Sequence, residues 1–281
     1  MLKEYQKIPT LYKFDQINHV YLEEIADEEV KYLRSLPWLA SEKYDGTNIR
    51  VYFDGHKVFY YGRTDKAELL PKVKEVLDKY FADSEVTFGQ NFQNQEVILF
   101  MECYGGLVQA SKARHWYNNQ DESLMGFDVM INNSYLKRQD IKPIFDLFGI
   151  PSIKQTILSS LDEAIKIVRE KTDEQDQRKD TSYFEGLVLV PTANLYTHGL
   201  RRIIVKVKCD TFRIIKGTKR PARIKLPPKK PMIKRTSTYT LEVSSLSKNI
   251  KDTIGNKTIE IPIEKVRSYK IGSLIVFKKE K

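Results

Sequence analysis

Hydrophobic and polar residues alternate in two runs, NIRVYF (48–53) and HKVFYY (56–61), on either side of Asp54-Gly55. Period-two patterning around that dipeptide predicts a β-hairpin closed by a two-residue type I′ turn. In KAELLPKVKEVLDKYF the spacing of Leu69, Val73, Val76, Leu77 and Tyr80 changes to the helical period and predicts an amphipathic helix. VILFMEC reads as a buried strand ending near Glu102, and SLMGFDVMI as another. QDIKPIFDLFGI predicts a short helix started or interrupted by Pro143. Ser160 and Glu163 stand in capping-box spacing and open a further helix. DEQDQRKDTS reads as a charged, solvated loop, and FEGLVLV and RRIIVKVK as two strands. Helices and strands mix without strict βαβ alternation, which predicts an α+β fold with largely antiparallel sheets.

The pattern breaks after Ile215. From Lys216 to Arg235 there are nine Lys/Arg, four Pro and no acidic residue. Such a stretch buries little and resists helix; it reads equally as a solvated linker or as an arm laid along nucleic acid. Beyond it, TYTLEVSSLS and KTIEIPIEKVRSYKIGSLIVFKKEK alternate like short strands. The expected organisation is a main domain over 1–215, a basic Pro-rich linker over 216–235 and a small β-rich module over 236–281.

Charge narrows the function classes. The 281 residues carry a formal net charge of +10, which points to a polyanionic partner such as nucleic acid or nucleotide phosphates. The first residues hold no apolar run of signal type, and no stretch approaches a membrane span, so a membrane role is not expected. The 2 cysteines, Cys103 and Cys209, form no CxxC, which argues for a reducing, cytoplasmic setting and against a zinc site. The 4 histidines are scattered.

Candidate chemistry starts at SEKYDGTNIRV (41–51), where Lys43, Asp45 and Gly46 lead into the first alternating run. Alone, K-x-D-G is a weak signal, and a surface ion pair of Lys43 with Asp45 is the bland reading. Four further elements follow in order: YYGRTDKA with Arg63, FMECYGG with Glu102, GFDVM with Phe127 and Asp128, and the pair FEGLVLV and IVKVK. Alternation in RRIIVKVK puts Arg202, Ile204, Lys206 and Lys208 on one face, with Lys206 and Lys208 about 7 Å apart, a spacing that suits successive phosphates. Alternation likewise puts Glu185, Leu187 and Leu189 on one face. The bland readings are a core Phe127, a plain loop Arg63, strand-end salt bridges for Glu102 and Glu185, and an edge-strand guard for Lys206 and Lys208. A lysine with pKa near 10.4 is neutral in only about one molecule in a thousand at pH 7.4, so a nucleophilic Lys43 must be activated. Lys206, Lys208 and a bound metal are expected to lower its pKa and to stabilise a transferring phosphate. Gly46 permits close backbone approach beside it. Asp45, Glu102 and Glu185 are the carboxylates that could support Mg²⁺.

Taken together and in order, these motifs resemble the covalent nucleotidyltransferases: polynucleotide ligases and mRNA capping enzymes. The resemblance runs from about Ser41 to Lys208 and is strongest to bacteriophage-type RNA ligases, through EKYDGTNIRV, YGRTDKA, ECYGGLVQ and GFDVMINNSYL. DNA ligases typically carry arginine two places after the motif glycine, where this chain has Asn48; Asp45 departs from relatives that carry histidine there. The resemblance implies a nucleotidyltransferase (ATP-grasp-like ligase) domain and an ATP-dependent RNA ligase using Mg²⁺, with Mn²⁺ as a substitute. It implies catalytic roles for Lys43, Asp45, Lys206 and Lys208, with Lys43 the nucleophile that takes AMP. Glu42, Asn48, Arg63, Glu102, Phe127, Glu185, Lys206 and Lys208 would bind the nucleotide, Phe127 by stacking on the base, Glu102 at the ribose and Arg63 at the ribose or the acceptor 5′-phosphate. Glu102 and Glu185 would support the metal. The implied partners are 5′-phosphate and 3′-hydroxyl ends, RNA favoured, and the expected state is a cytoplasmic monomer, in the host cytoplasm if phage-encoded. A DNA ligase, a GTP-dependent capping enzyme and a catalytically dead nucleic-acid-binding relative are the alternatives. His115 and Trp116 read as a packed loop or as lining of an acceptor groove.

Overall fold

The computed structural model describes residues 4–106, 108, 121–177 and 184–218, together with the backbone of 249–254, 257–262, 266–271 and 274–279. The chain divides into two compact units, Met1–Lys225 and Leu226–Lys281. His115, Trp116, the stretch TYTLEVSSLS and most of the basic Pro-rich segment lie outside the described residues.

In the first unit the elements follow in the order β1 (Tyr12–Asp15), β2 (Val20–Ile25), α1 (Glu28–Tyr32), β3 (Trp38–Glu42), β4 (Gly46–Phe53), β5 (Val58–Gly62), α2 (Pro71–Phe81), α3 (Glu85–Phe92), β6 (Val97–Gly105), β7 (Glu122–Ile131), β8 (Ser134–Tyr135), α4 (Lys142–Asp146), β9 (Gln155–Leu158), α5 (Leu161–Asp176), β10 (Gly186–Pro191), β11 (Val205–Lys208) and α6 (Cys209–Ile215). Among the described residues they form a five-stranded sheet, β5-β4-β6-β7-β8, a four-stranded sheet, β11-β10-β3-β9, and the hairpin β1-β2. Every pairing between these strands is antiparallel. This is the expected α+β architecture.

Alternation decides which face of each sheet meets helices. Ile49, Val51, Leu99, Met101 and Val129 pack under α2, α3 and α4, against Val73, Leu77, Phe81, Phe88 and Phe145. Trp38, Ala40, Leu187, Leu189, Val205 and Val207 pack under α5 and α6, against Leu161, Ala164, Val168 and Phe212. The opposite faces carry smaller apolar groups, Ile98, Phe100 and Met130 on one sheet and Leu39, Val188, Val190 and Ile204 on the other. The N-terminal segment threads between these faces. Tyr5 packs on the first and Ile8 on both, and the segment is tied to β11 by Lys206 N–H to Pro9 O (3.0 Å) and Leu11 N–H to Lys206 O (2.8 Å).

Several local expectations shift by a residue or more. In the β4–β5 hairpin, Asp54 N–H bonds Lys57 O, so the turn residues are Gly55 and His56. The Asp54 carboxylate accepts from the N–H groups of His56 and Lys57 (2.8 and 2.7 Å) and so precedes the turn. Positive φ at Gly55 alone belongs to a turn with glycine at its first central position, not to type I′. The helix expected from Leu69 starts at Pro71, a residue pre-set for a first turn. Ser160 caps α5 by accepting from Glu163 N–H, while the Glu163 carboxylate reaches back to Ser159 rather than to Ser160. The first four residues of the expected loop DEQDQRKDTS are helical, because α6 and the residue that caps it offer their acids partners: Arg213 holds Asp176 (2.7 Å) and Lys216 holds Asp173 (2.5 Å).

In the second unit β12 (Asn249–Ile254) pairs with β13 (Lys257–Pro262), and β14 (Val266–Ile271) pairs with β15 (Leu274–Lys279), both antiparallel. Among the described residues no helix is long and apolar enough to cross a membrane.

Candidate active site

Between the inner faces of the two sheets lies a cavity of about 240 Å³. Glu42, Lys43, Asn48, Arg63, Glu102, Phe127 and Lys206 all line it, seven of the ten residues singled out from the sequence, which arrive from both sheets. Glu185 and Lys208 are not part of the lining; Glu185 joins it through its ion pair with Lys43 and also pairs with Lys208. Asp45 is not part of the lining, and its negative charge bears on Lys43 electrostatically.

Lys43 follows the last residue of β3, and its N–H bonds Gly186 O (2.9 Å). Its ammonium donates to Glu185 Oε2 (2.8 Å) and to Tyr44 O (3.2 Å), and Glu185 Oε1 takes Lys208 Nζ at 2.5 Å. Glu185 faces the cleft, contrary to the simple alternation with Leu187 and Leu189. Gly186 is the reason: its φ of +151° breaks the regular strand geometry at the first residue of β10. A Cβ there would stand 2.1 Å from Val207 O, so no other residue fits. Gly46 serves the facing strand in the same way. A Cβ on it would meet Cys103 O at 2.2 Å, and the close approach lets Gly46 N–H donate to Glu102 Oε1 (3.0 Å). Asn48 lies directly opposite Glu102 in the β4–β6 register.

Phe127 reaches the cleft through a β-bulge. Phe100 pairs with Asp128 and Met101 with Gly126, which leaves Phe127 as the extra residue. It meets Tyr5 edge to face at 5.1 Å. In β11, Lys206 and Lys208 point to one side and Val205 and Val207 to the core, as alternation predicts.

The charges are not distributed as the sequence implied. Burial pulls the Lys43 ammonium down, but Glu185 and Glu102 outweigh it and hold its pKa above the ordinary lysine value. The expected depression falls on Lys206 instead, pushed to about 8 by burial and by the charges of Lys208 and Lys43. Glu102 is pushed up to about 7, by burial first, with Lys43 opposing and Glu185 adding to the rise.

The model of the RNA ligase family matches residues 36–208. The chain belongs to the RNA ligase family. Among solved structures, the fold is similar to an archaeal ATP-dependent RNA ligase (TM-score 0.51, 13% identity over 74% of this chain and 48% of that one). It is also similar to a Naegleria gruberi RNA ligase variant solved with ATP and Mn (TM-score 0.51, 12% identity over 75% of this chain and 57% of that one). The chain thus spans about half the length of these structural relatives. No curated protein matches it.

In this RNA ligase family member the cleft floor is a buried ionic network. Asp128 is fully buried and accepts from Tyr5 OH (2.8 Å) and Arg202 Nη1 (2.6 Å), with Arg138 Nη2 at 3.6 Å. Arg138 also donates to Ser41 Oγ (3.1 Å) on the other sheet. Asp128 and Arg202 were visible as members of motifs, but nothing in spacing joins them to Tyr5 and Arg138. No group of three or more metal-type ligands forms among the described residues.

The raised Glu102 has a consequence for stability. Between its ordinary value and about 7, the folded state keeps a proton that the unfolded chain has shed. Stability therefore falls as pH rises from about 5 to about 7, with a slope on the order of 1 kcal/mol per pH unit from this group. Thermal melts of Glu102→Gln should lack this part of the slope; an identical pH profile in the variant would refute the assignment.

Proposed function

We propose that this chain is an ATP-dependent RNA ligase that seals 5′-phosphate to 3′-hydroxyl ends through a lysyl-AMP intermediate at Lys43. The observation that carries the reading is the Lys43 amine at the wall of the cavity, 2.8 Å from Glu185, with Lys206 lining the same space. The ammonium must shed a proton before its lone pair can attack, and Glu185 Oε2 is the acceptor within reach. The Nζ–Pα bond then forms as the bond from Pα to the bridging oxygen breaks and pyrophosphate leaves. Lys206, lowered by burial and by its cationic neighbours, gains counter-charge from the α-phosphate, and Lys208 steadies Glu185. Phe127 offers the base its face, and Asn48 and Glu102 hold the ribose. AMP then passes to a 5′-phosphate, and a 3′-hydroxyl displaces it.

The donor set fits a divalent cation. The Asn48 side-chain oxygen is buried without a hydrogen-bond partner, and the Glu102 carboxylate gains from any cation beside it. Glu102 and Glu185 would hold the ion with phosphate oxygens, as one or two carboxylates suffice for Mg²⁺. When bound it would neutralise charge on the transferring phosphoryl group. The Mn in the Naegleria gruberi structure supports the same reading for Mn²⁺. The proposal extends to domain limits at 215 and 235 and to a cytoplasmic monomer acting in RNA repair.

The test is end-joining of matched RNA and DNA strands, nicked and single, with ATP or GTP and with Mg²⁺. ATP-driven sealing that prefers an RNA strand is the expected result; GTP dependence, or sealing of DNA alone, would contradict it. With a net charge of +10, sealing should also drop steeply with salt, through release of counterions from the backbone. Sealing that is flat from low to moderate salt, with lysyl-AMP formation unchanged, would contradict tracking of the backbone by the basic surface.

A further inference from the structure

Arg50 is fully buried in β4, and the chemistry proposed for the cleft makes no use of it. A buried guanidinium is costly unless its donors are met. Two of its donor nitrogens are directed to the end of the neighbouring strand and the turn beyond. Nε donates to Gly62 O (2.8 Å) and Nη2 to Asp65 Oδ1 (2.7 Å), while the guanidinium carbon lies 5.4 Å from the Tyr61 ring. One rigid, planar group thus grips the chain at 62 and at 65.

Arg63 lies between those two points. It is exposed, and it lines both the 240 Å³ cavity and an adjoining one of about 350 Å³. The two cavities share Arg63, Asn48 and Glu102. The turn closes on itself as well: Ala67 N–H bonds Thr64 O (3.2 Å), and Ala67 packs where a Cβ on Gly62 would stand. The backbone that carries Arg63 is therefore anchored to the sheet by the Arg50 fork. A turn held at both sides leaves its backbone little freedom to carry the side chain off target.

We propose that Arg50 and Asp65 are positioning residues for Arg63, fixing it at the junction of the two cavities, where it meets the ribose or the acceptor 5′-phosphate. This inference rests on the ligase reading. Asp65 is 38% exposed, so Asp65→Ala releases the grip at 65 without opening the core; Arg50→Lys keeps the charge but not the fork.

The experiment measures lysyl-AMP formation and the sealing of a pre-adenylylated 5′ end separately, with melting temperature alongside, in the full-length protein. The variants are Arg63→Ala, Asp65→Ala, Asp65→Glu, Arg50→Lys and the double variant Arg63→Ala/Asp65→Ala. Asp65→Ala is expected to slow the same step that Arg63→Ala slows most, by about 10- to 100-fold. The double variant is expected to be no slower than Arg63→Ala alone, because the clamp acts only through that side chain. Asp65→Glu should recover part of the rate. Losses that multiply in the double variant, or an Asp65→Ala protein unchanged in both steps, would overturn the inference while leaving the ligase reading intact. A natural protein that forms no lysyl-AMP would overturn the ligase reading and this inference with it.

Discussion

Lys43→Arg is expected to fold like the natural protein and to form no covalent nucleotide at all. The arginine keeps the positive charge, so Glu185, only 5% exposed and already shared with Lys208, is not left short of a partner. The fold should therefore be preserved. A guanidinium does not deprotonate in proteins and offers no lone pair for attack, so the first chemical step disappears completely rather than slowing. Intact-protein mass after incubation with ATP and Mg²⁺ reads this directly. Any nucleotide adduct on the folded variant would place the nucleophile elsewhere, with Lys206, pushed to about 8 and lining the same cavity, the first residue to examine.

The second large effect concerns stability. Asp128→Asn keeps the shape of the side chain but removes the negative charge that faces Arg202 and Arg138, both buried. Two guanidiniums would then lack their common counterion in the floor of the cleft, and breaking a buried pair from one side costs about 3–5 kcal/mol. Urea unfolding should register a loss of that size. Replacing Arg202 by Met in the same chain should return part of it, because one stranded charge is removed. A loss under about 1 kcal/mol would mean that the network behaves as a surface pair does. Since Tyr5, Ser41 and the bulge at Phe127–Asp128 meet in this network, the variant should also bind nucleotide more weakly.

The contrast between Lys206 and Glu185 indicates how far the sequence could be read. Alternation placed Lys206 and Lys208 on one face because β11 is a regular strand with Val205 and Val207 in the core. The same rule misplaced Glu185, since it precedes the strand and the positive φ of Gly186 resets the side-chain direction. Asn48 and Glu102 were found one by one as motif members, and their pairing is a matter of β4–β6 register, which the motifs do not encode. The ionic floor was not legible: Tyr5 and Arg202 reach Asp128 across 123 and 74 residues of chain. Arg50 stayed hidden because an arginine in an alternating run looks like a solvent-facing residue, and only the folded hairpin shows it buried. Among the protein's own groups, the charge balance at Lys43 also differs from the expected one. Counting nearby cations leaves out that Glu185 takes both Lys43 and Lys208, so the carboxylates dominate at Lys43.

The most direct test of the account is to find where the nucleotide is attached. The protein would be incubated with ATP labelled at the α-phosphate and a divalent cation, then digested, and the labelled peptide sequenced by mass spectrometry. AMP on Lys43, through a bond labile to acid and stable to alkali as a phosphoramidate is, is the predicted result. AMP on another residue, or protein that is folded, free of bound nucleotide and still unlabelled, would contradict it.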